Sequence, residues 1–501
     1  MKWSFIIILL IIVSGCSKDF LHEQPKGLVY GDVAISDVPS LDAALTGAYK
    51  GVLRTWSRGF LTASFQGFSM GGDDLTTLAG GNKASKRQID QFDVTADNPD
   101  IAQIWNGCYK MIQGANNVIA NGPKILPTVG GDQSQTALVN DIMGEAYFLR
   151  AMGYYWLVRG WGPIPLLTQI SYEVTPELLN IERSQPKDVY QVIEDDLKKA
   201  IELLPDAKRD PGRPNKGSAM ALLADVYLTE GGWPVKDASK YALAAAEAKQ
   251  VIDNKDRFGF SLVDLNLLWS ETTVAPPGSA KEDVFAFQTA ENYGGSNNSF
   301  TGASTIPAEE GGWEDYESEI NFFNNFPEGK RKNLTFHTIF KASDGSMVPW
   351  QKSISGHPYY AKFRIDNNGN WWSAQPVHMI RYAKVLLCYA EAQARADGAP
   401  NSDAYQALND VRLRAGETPV SGLSPSDFIN LAVNERGWEF AGEGTTRWFD
   451  LQRLEMVEEM NDDVHRNVLE NPIIGDHGKI TEALYWFPVP LTDQNINPNL
   501  K

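Results

Sequence analysis

Three patterns in this chain could carry chemistry. Gly67-Phe68-Ser69-Met70-Gly71 matches G-x-S-x-G, the nucleophile elbow of hydrolases. That elbow needs a strand before the serine and a helix straight after it. Here Gly72-Asp73-Asp74-Leu75-Thr76-Thr77 follows, in a chain that reads as largely helical, so a chance match in a glycine-rich loop is the better reading. Second, two carboxylates about 5–10 Å apart can hydrolyse a glycosidic bond. Glu435 and Glu439 fall one helical turn apart, and Asp73 and Asp74 are adjacent. With 63 acidic residues, such pairs arise freely. Glu435, Arg436, Glu439, Arg447, Asp450 and Arg453 alternate in sign, which reads as a structural ion-pair network near the core. Third, aromatic residues recur in loops beside amides and carboxylates. They are Tyr293 in Glu-Asn-Tyr-Gly-Gly, Trp313 and Tyr316 in Gly-Gly-Trp-Glu-Asp-Tyr, and Trp371-Trp372 in Asn-Gly-Asn-Trp-Trp-Ser. A sugar ring has an apolar C–H face and a polar rim. Flat aromatics stack on the first while Asn, Asp or Arg hydrogen-bond the second. The six histidines are scattered without HExxH, and there is no CxxC, phosphate loop or dinucleotide fingerprint. We therefore expect no metal and no cofactor.

Helices must hold these loops. Apolar or small residues fall at helical spacing from Ile142 through Ala146, Leu149, Gly153, Trp156 and Leu157. Phe148, Tyr154, Tyr155 and Val158 fill the other faces. A helix that is apolar all round is central. Its charges, Glu145, Arg150 and Arg159, must find partners inside the fold. The spacing predicts that it stops at Gly160, before the rigid exit Gly162-Pro163-Ile164-Pro165. Further helices are expected over 40–53, 101–119, 185–204, 216–230, 237–253, 381–397, 403–414 and 424–440. The 216–253 pair and the 381–414 pair resemble tetratricopeptide units at irregular spacing, which points to a discontinuous repeat scaffold. Between them, residues 255–378 are loop-rich around one strand-like run, Val284–Gln288. Residues 67–99 read as a long surface loop, and the tail from Trp486 to Asn499 as extended and proline-rich.

A 501-residue chain with 43% apolar and 22% charged residues can bury a large core. Its net charge of −18 disfavours nucleic acid. Fourteen Trp, 18 Tyr and 22 Phe exceed what packing obviously needs. After Lys2, the run Phe5–Val13 is apolar but too short to span a bilayer. Val13-Ser14-Gly15-Cys16 then resembles a bacterial lipoprotein box, with Cys16 lipidated and the mature protein anchored rather than spanning. Cys108 and Cys388 lie in helical apolar patterns and read as buried free thiols.

The ordered set of motifs closely resembles the SusD-like (RagB/SusD) family. It runs from the lipobox through Trp105…Tyr109…Ala115-Asn116-Asn117-Val118 and Glu145–Leu166 to Val189-Tyr190. In the second half it includes Ile380-Arg381-Tyr382-Ala383, Asn409-Asp410-Val411-Arg412, Asn434-Glu435-Arg436, Arg447-Trp448-Phe449-Asp450 and Phe487-Pro488-Val489-Pro490. The 441–446 stretch departs from the pattern, so a local loop change is expected there. The resemblance implies a mainly α fold: a tetratricopeptide-like scaffold at 41–254 and 379–460, with a loop-rich, small-strand-containing binding region at about 255–378. Residues 1–15 would be a signal peptide, 16–40 a lipid-anchored tether, and 41–501 one domain. It implies no catalysis, an outer-membrane surface location, an oligo- or polysaccharide ligand and a SusC-like TonB-dependent transporter as partner. The ligand residues carried over are Asp73, Asp74, Tyr293 and Trp313. Composition adds Arg364, Trp371 and Trp372. Two other classes stay open: a Ser69 hydrolase or glycosidase, and a protein-interaction scaffold that binds no sugar.

Overall fold

The computed structural model describes residues 35–52, 68–78, 81–170, 175–269, 281–288, 303–364, 376–444, 446–457 and 482–501. Its helices are α1 (Val38–Val52), α2 (Ala84–Asp90), α3 (Pro99–Ile125), α4 (Gln133–Trp161), α5 (Pro186–Leu203), α6 (Lys216–Glu230) and α7 (Lys240–Asp253). They continue with α8 (Ile320–Asn325), α9 (Lys330–Thr335), α10 (Tyr382–Asp397), α11 (Ser402–Ala415), α12 (Pro425–Glu439), α13 (Arg447–Arg453) and α14 (Leu491–Ile496). Each long helix packs on the next: α1 on α3, α3 on α4, α4 on α5, α5 on α6, α6 on α7, α7 on α10, and α10 on both α11 and α12. The result is the mainly helical, repeat-like scaffold expected from the spacing.

The central helix α4 starts at Asp132, whose carboxylate accepts the Ser134 and Gln135 N–H groups at 2.8 and 3.2 Å. From Asp141 to Trp161 every residue except Tyr147 is buried. It ends one residue later than expected, where Gly162 has φ 68° and its Cα faces the Trp486 ring so closely that a Cβ would lie 2.5 Å away. All three buried charges are answered. Glu145 accepts from Tyr49, Arg209 and Arg213 at 2.7, 2.7 and 3.0 Å. Arg150 forks onto Asp196 at 2.8 and 2.7 Å. Arg159 lies between the rings of Tyr155 and Phe449, 3.6 and 3.9 Å from their centroids. The exit from α4 and the chain's tail pin each other: Phe487 N–H donates to the Gly160 carbonyl, and the Trp161 indole donates to that of Pro488. Beyond Pro490 the tail is not extended as expected. Leu491–Ile496 turn into α14, and Asp493 caps the Trp105 indole at 3.1 Å. Cys108 and Cys388 are buried free thiols.

Strand β2 (Asp283–Phe287) is buried along its whole length and pairs antiparallel with β8 (Val377–Arg381), which runs straight into α10. The other strands are short. β1 (Leu75–Thr76) pairs with β3 (Glu317–Ser318), β4 (Phe336–His337) with β7 (Tyr359–Tyr360), and β5 (Ile339–Lys341) with β6 (Met347–Pro349). The β1–β3 pair corrects the reading of 67–99 as a surface loop. Leu75 and Thr76 are buried in that pair, and α2 follows them. Asp73 and Asp74, 4% and 1% exposed, turn inward. Asp73 forks onto Arg447 with both contacts at 2.5 Å, and Asp74 accepts the Gly442 N–H at 2.9 Å. Asp74's second oxygen is buried without a partner among the described residues.

The segment 303–364 is joined to the helices by a buried ion network. Glu435 on α12 takes Arg331 of α9 at 2.5 Å and Arg412 of α11 at 2.9 Å. Arg381, at the end of β8, donates to Glu439, Glu282 and Glu443, each at 2.7 Å by its Nη atoms. Arg414 bridges Glu439 and Glu282 at 2.7 and 2.9 Å, and Lys362 reaches Glu443 at 2.9 Å. The alternating charges are scaffold, as their spacing suggests.

Two outcomes follow from these buried charges. Arg381→Met removes one cation from three buried carboxylates, so it should cost on the order of 3–5 kcal/mol of stability by urea denaturation. A loss under about 1 kcal/mol, the size of an exposed pair, would show the network to be peripheral. For Asp74, burial and then the neighbouring Asp73 charge raise the carboxyl to about 7. A raised carboxyl favours the folded state while protonated, and that contribution is lost as pH climbs through about 7. Asp74→Asn keeps the acceptor for Gly442, so it should raise Tm at pH 8 and leave it unchanged near pH 4. Equal shifts at both pH values would contradict this.

Candidate functional site

The exposed tryptophan among the described residues of the loop-rich segment is held by its own turn. Ala308–Glu310 form a single tight helical turn, and Gly311 follows at φ 80°. Gly312 then passes so close to the Ile306 carbonyl that a Cβ would sit 1.8 Å from its oxygen, so only glycine fits. The chain folds back on itself. Trp313 N–H donates to the Ala303 carbonyl at 3.0 Å, and Asp315 N–H to that of Ser304 at 2.8 Å. The Trp313 side chain is left 40% exposed, while Tyr316, three residues further on, is fully buried and belongs to the core.

Distant residues brace this turn. Lys83, just before α2, donates to the Trp313 carbonyl and pairs with Asp315. Asp315 also accepts from Ser304 Oγ at 2.8 Å. On the other side, Glu310 takes the Lys341 N–H of β5 at 2.9 Å, approaches His337 Nε2 at 3.1 Å, and pairs with Arg364. Burial alone would raise the Glu310 carboxyl, but the bonds from His337 and Arg364 outweigh it and hold the group at about 2. Arg364 Nη1 also lies 2.7 Å from His337 Nε2. Trp313 and Arg364, expected separately from the sequence, are thus brought together through Glu310, three residues before the tryptophan.

The remaining expectations divide. Asp73 and Asp74 lie below the surface, 4% and 1% exposed: Asp73 is committed to Arg447, while Asp74 gives one oxygen to the Gly442 N–H and holds the other buried without a partner among the described residues. Tyr293, Trp371, Trp372 and Cys16 lie outside the described residues. Ser69 is 1% exposed in a turn that leads into β1, not in the strand–turn–helix context of a nucleophile elbow. Among the described residues no group of three or more His, Cys, Asp or Glu is placed to hold a metal ion. Sequence reasoning missed Lys83 and Glu310. The Glu309-Glu310-Gly311-Gly312 run was a usable signal for a tight acidic turn, but nothing local ties position 83 to position 315.

A family model described as starch-binding and associating with the outer membrane matches residues 40–228, and a SusD family model matches residues 287–501. The chain is 29% identical over 493 residues to the SusD-like protein P2 of Formosa agariphila, covering 92% of this chain and 91% of that protein. It superposes on a SusD superfamily protein from Parabacteroides distasonis with a TM-score of 0.76 at 25% identity, covering 92% and 98% of the two chains. A laminarin-binding SusD-like protein shares the fold with a TM-score of 0.72 at 22% identity, covering 92% and 97%. No helix of the described residues is long and apolar enough to cross a membrane. With two family models covering both halves and a repeat-like helical fold shared over nearly the whole length, this chain belongs to the SusD-like family of carbohydrate-binding proteins.

Proposed function

We propose that the protein is a non-catalytic glycan-capture subunit, lipid-anchored through Cys16 at the outer-membrane surface, that delivers oligo- or polysaccharide to a SusC-like TonB-dependent transporter. The observation that carries the ligand part is the Trp313 turn. A flat ring is exposed on a backbone that Gly312, Lys83 and Glu310 hold still, so little side-chain and loop entropy remains to be lost on binding. Arg364 supplies polar donors beside it. The laminarin-binding relative supports a glycan as the ligand class. The anchor is supported by the Val13-Ser14-Gly15-Cys16 box and the short apolar run before it. The transporter is supported by family membership. Tyr293, Trp371 and Trp372 are carried forward from the sequence alone as further ligand residues.

Stacking on one ring contributes about 1 kcal/mol. Useful affinity then comes from several subsites along one glycan and from the confined volume above a transporter. Release needs no chemical step.

Affinity electrophoresis of residues 17–501 in gels containing a panel of polysaccharides tests this. One glycan class should retard the wild type, and Trp313→Ala should weaken that retardation roughly five- to tenfold, as loss of one stacked ring implies. Trp371→Ala and Trp372→Ala are run beside it, with circular dichroism as the folding control. Retardation that survives all three substitutions would place the site elsewhere.

A further inference from the structure

The charges around Trp313 are not arranged symmetrically. The carboxylates are turned into the protein. Glu309 accepts the Ile354 N–H at 2.6 Å, and its second oxygen is buried. Glu310 is occupied by Arg364, His337 and the Lys341 N–H. Glu314 accepts from Ala308 N–H and Tyr359 OH at 2.9 and 3.2 Å. Asp315 is held by Lys83 and Ser304. Glu317 is fully buried, one oxygen on Tyr359 OH at 3.3 Å and the other without a partner. Burial, followed by the nearby Glu314 charge, pushes its carboxyl well above the usual carboxylate range.

One cation is left with unused donors. A guanidinium has five N–H groups. Arg364 commits Nη1 to Glu310, with His337 Nε2 2.7 Å from the same atom, while Nε and Nη2 have no partner among the described residues and the side chain is 27% exposed. The free edge is the Nε/Nη2 fork, the geometry that takes a planar or tetrahedral oxyanion two-pronged. Lys86, 5.8 Å from the Tyr316 ring centroid, is by contrast buried, 5% exposed, and ion-paired with Asp315 at 3.8 Å. Arg364 is tied to the turn three residues before Trp313.

We propose that the glycan bound at this site carries anionic substituents, uronate carboxylates or sulfate esters, with one seated on the Arg364 fork. This rests on the glycan reading above and names its substrate class. The net charge of −18 does not oppose it at contact range, because charges further than about 8 Å away are largely screened at physiological salt. Anchoring Arg364 through Glu310 also removes part of the cost of fixing a long side chain.

The test uses residues 17–501 and paired probes. Polygalacturonate is compared with its carboxyl-reduced neutral form, a sulfated galactan with its desulfated form, and laminarin serves as a neutral glucan. The expected result is that at least one charged probe is retained and its neutralised partner is retained roughly tenfold less or not at all, as loss of a charge-assisted hydrogen bond implies. Which pair responds separates carboxylate from sulfate. Arg364→Gln should weaken the charged probe about tenfold and reduce the salt dependence of its retention, and Arg364→Lys should weaken it less. Equal retention of charged and neutralised probes overturns the charge inference while the glycan reading stands. Retention of no polysaccharide of either kind overturns both.

Discussion

Four buried cations, Arg331, Lys362, Arg381 and Arg412, and the half-buried Arg414 meet four buried glutamates, Glu282, Glu435, Glu439 and Glu443, where the loop-rich segment joins the helices. Ion pairs of this kind add little net stability over a well-packed apolar contact, because desolvation offsets most of the attraction. Their effect is geometric. A fork on a carboxylate has few acceptable orientations, whereas an apolar contact tolerates sliding. Arg331 comes from α9 and Arg381 from the end of β8, while Glu435 and Glu439 come from α12. The network therefore sets how the segment sits on the repeat scaffold.

The Trp313 turn inherits that placement. β3 runs from it into the β1 pair beside Asp73 and Asp74, and those acids lock onto Arg447 and Gly442 at the scaffold. Glu310 and Lys83 then brace the turn from two sides. A platform that is stiff before the ligand arrives suits weak, repeated capture, since each contact is modest and little is lost to ordering.

Much of the fold was legible because helices announce themselves. α4 could be read from Ile142 to Gly160 since nearly every side of it is apolar, and α5 and α12 open on Pro186 and Ser424-Pro425 as capping chemistry requires. The 67–99 stretch was not legible. Its burial comes from β1 pairing with β3 more than 240 residues later, and two-residue strands carry no periodic signal. The site was half legible. An exposed aromatic after Gly-Gly and an arginine near a Trp pair stand out by composition. The acids misled, because Asp73-Asp74 in a glycine-rich run looks solvent-facing until Arg447 is brought against it by the fold. Glu310 and Lys83 were invisible for the same reason: their role lies in contacts that only tertiary structure creates.

We propose that a preformed turn around Trp313, not a groove between repeat helices, meets the ligand. Hydrogen exchange of residues 17–501 with and without an oligosaccharide of the retained glycan tests this most directly. Added protection should be confined to peptides covering 303–316 and the chain around Arg364, with α1, α3 and α5 unchanged. Protection along those helices, with none at 303–316, would contradict it.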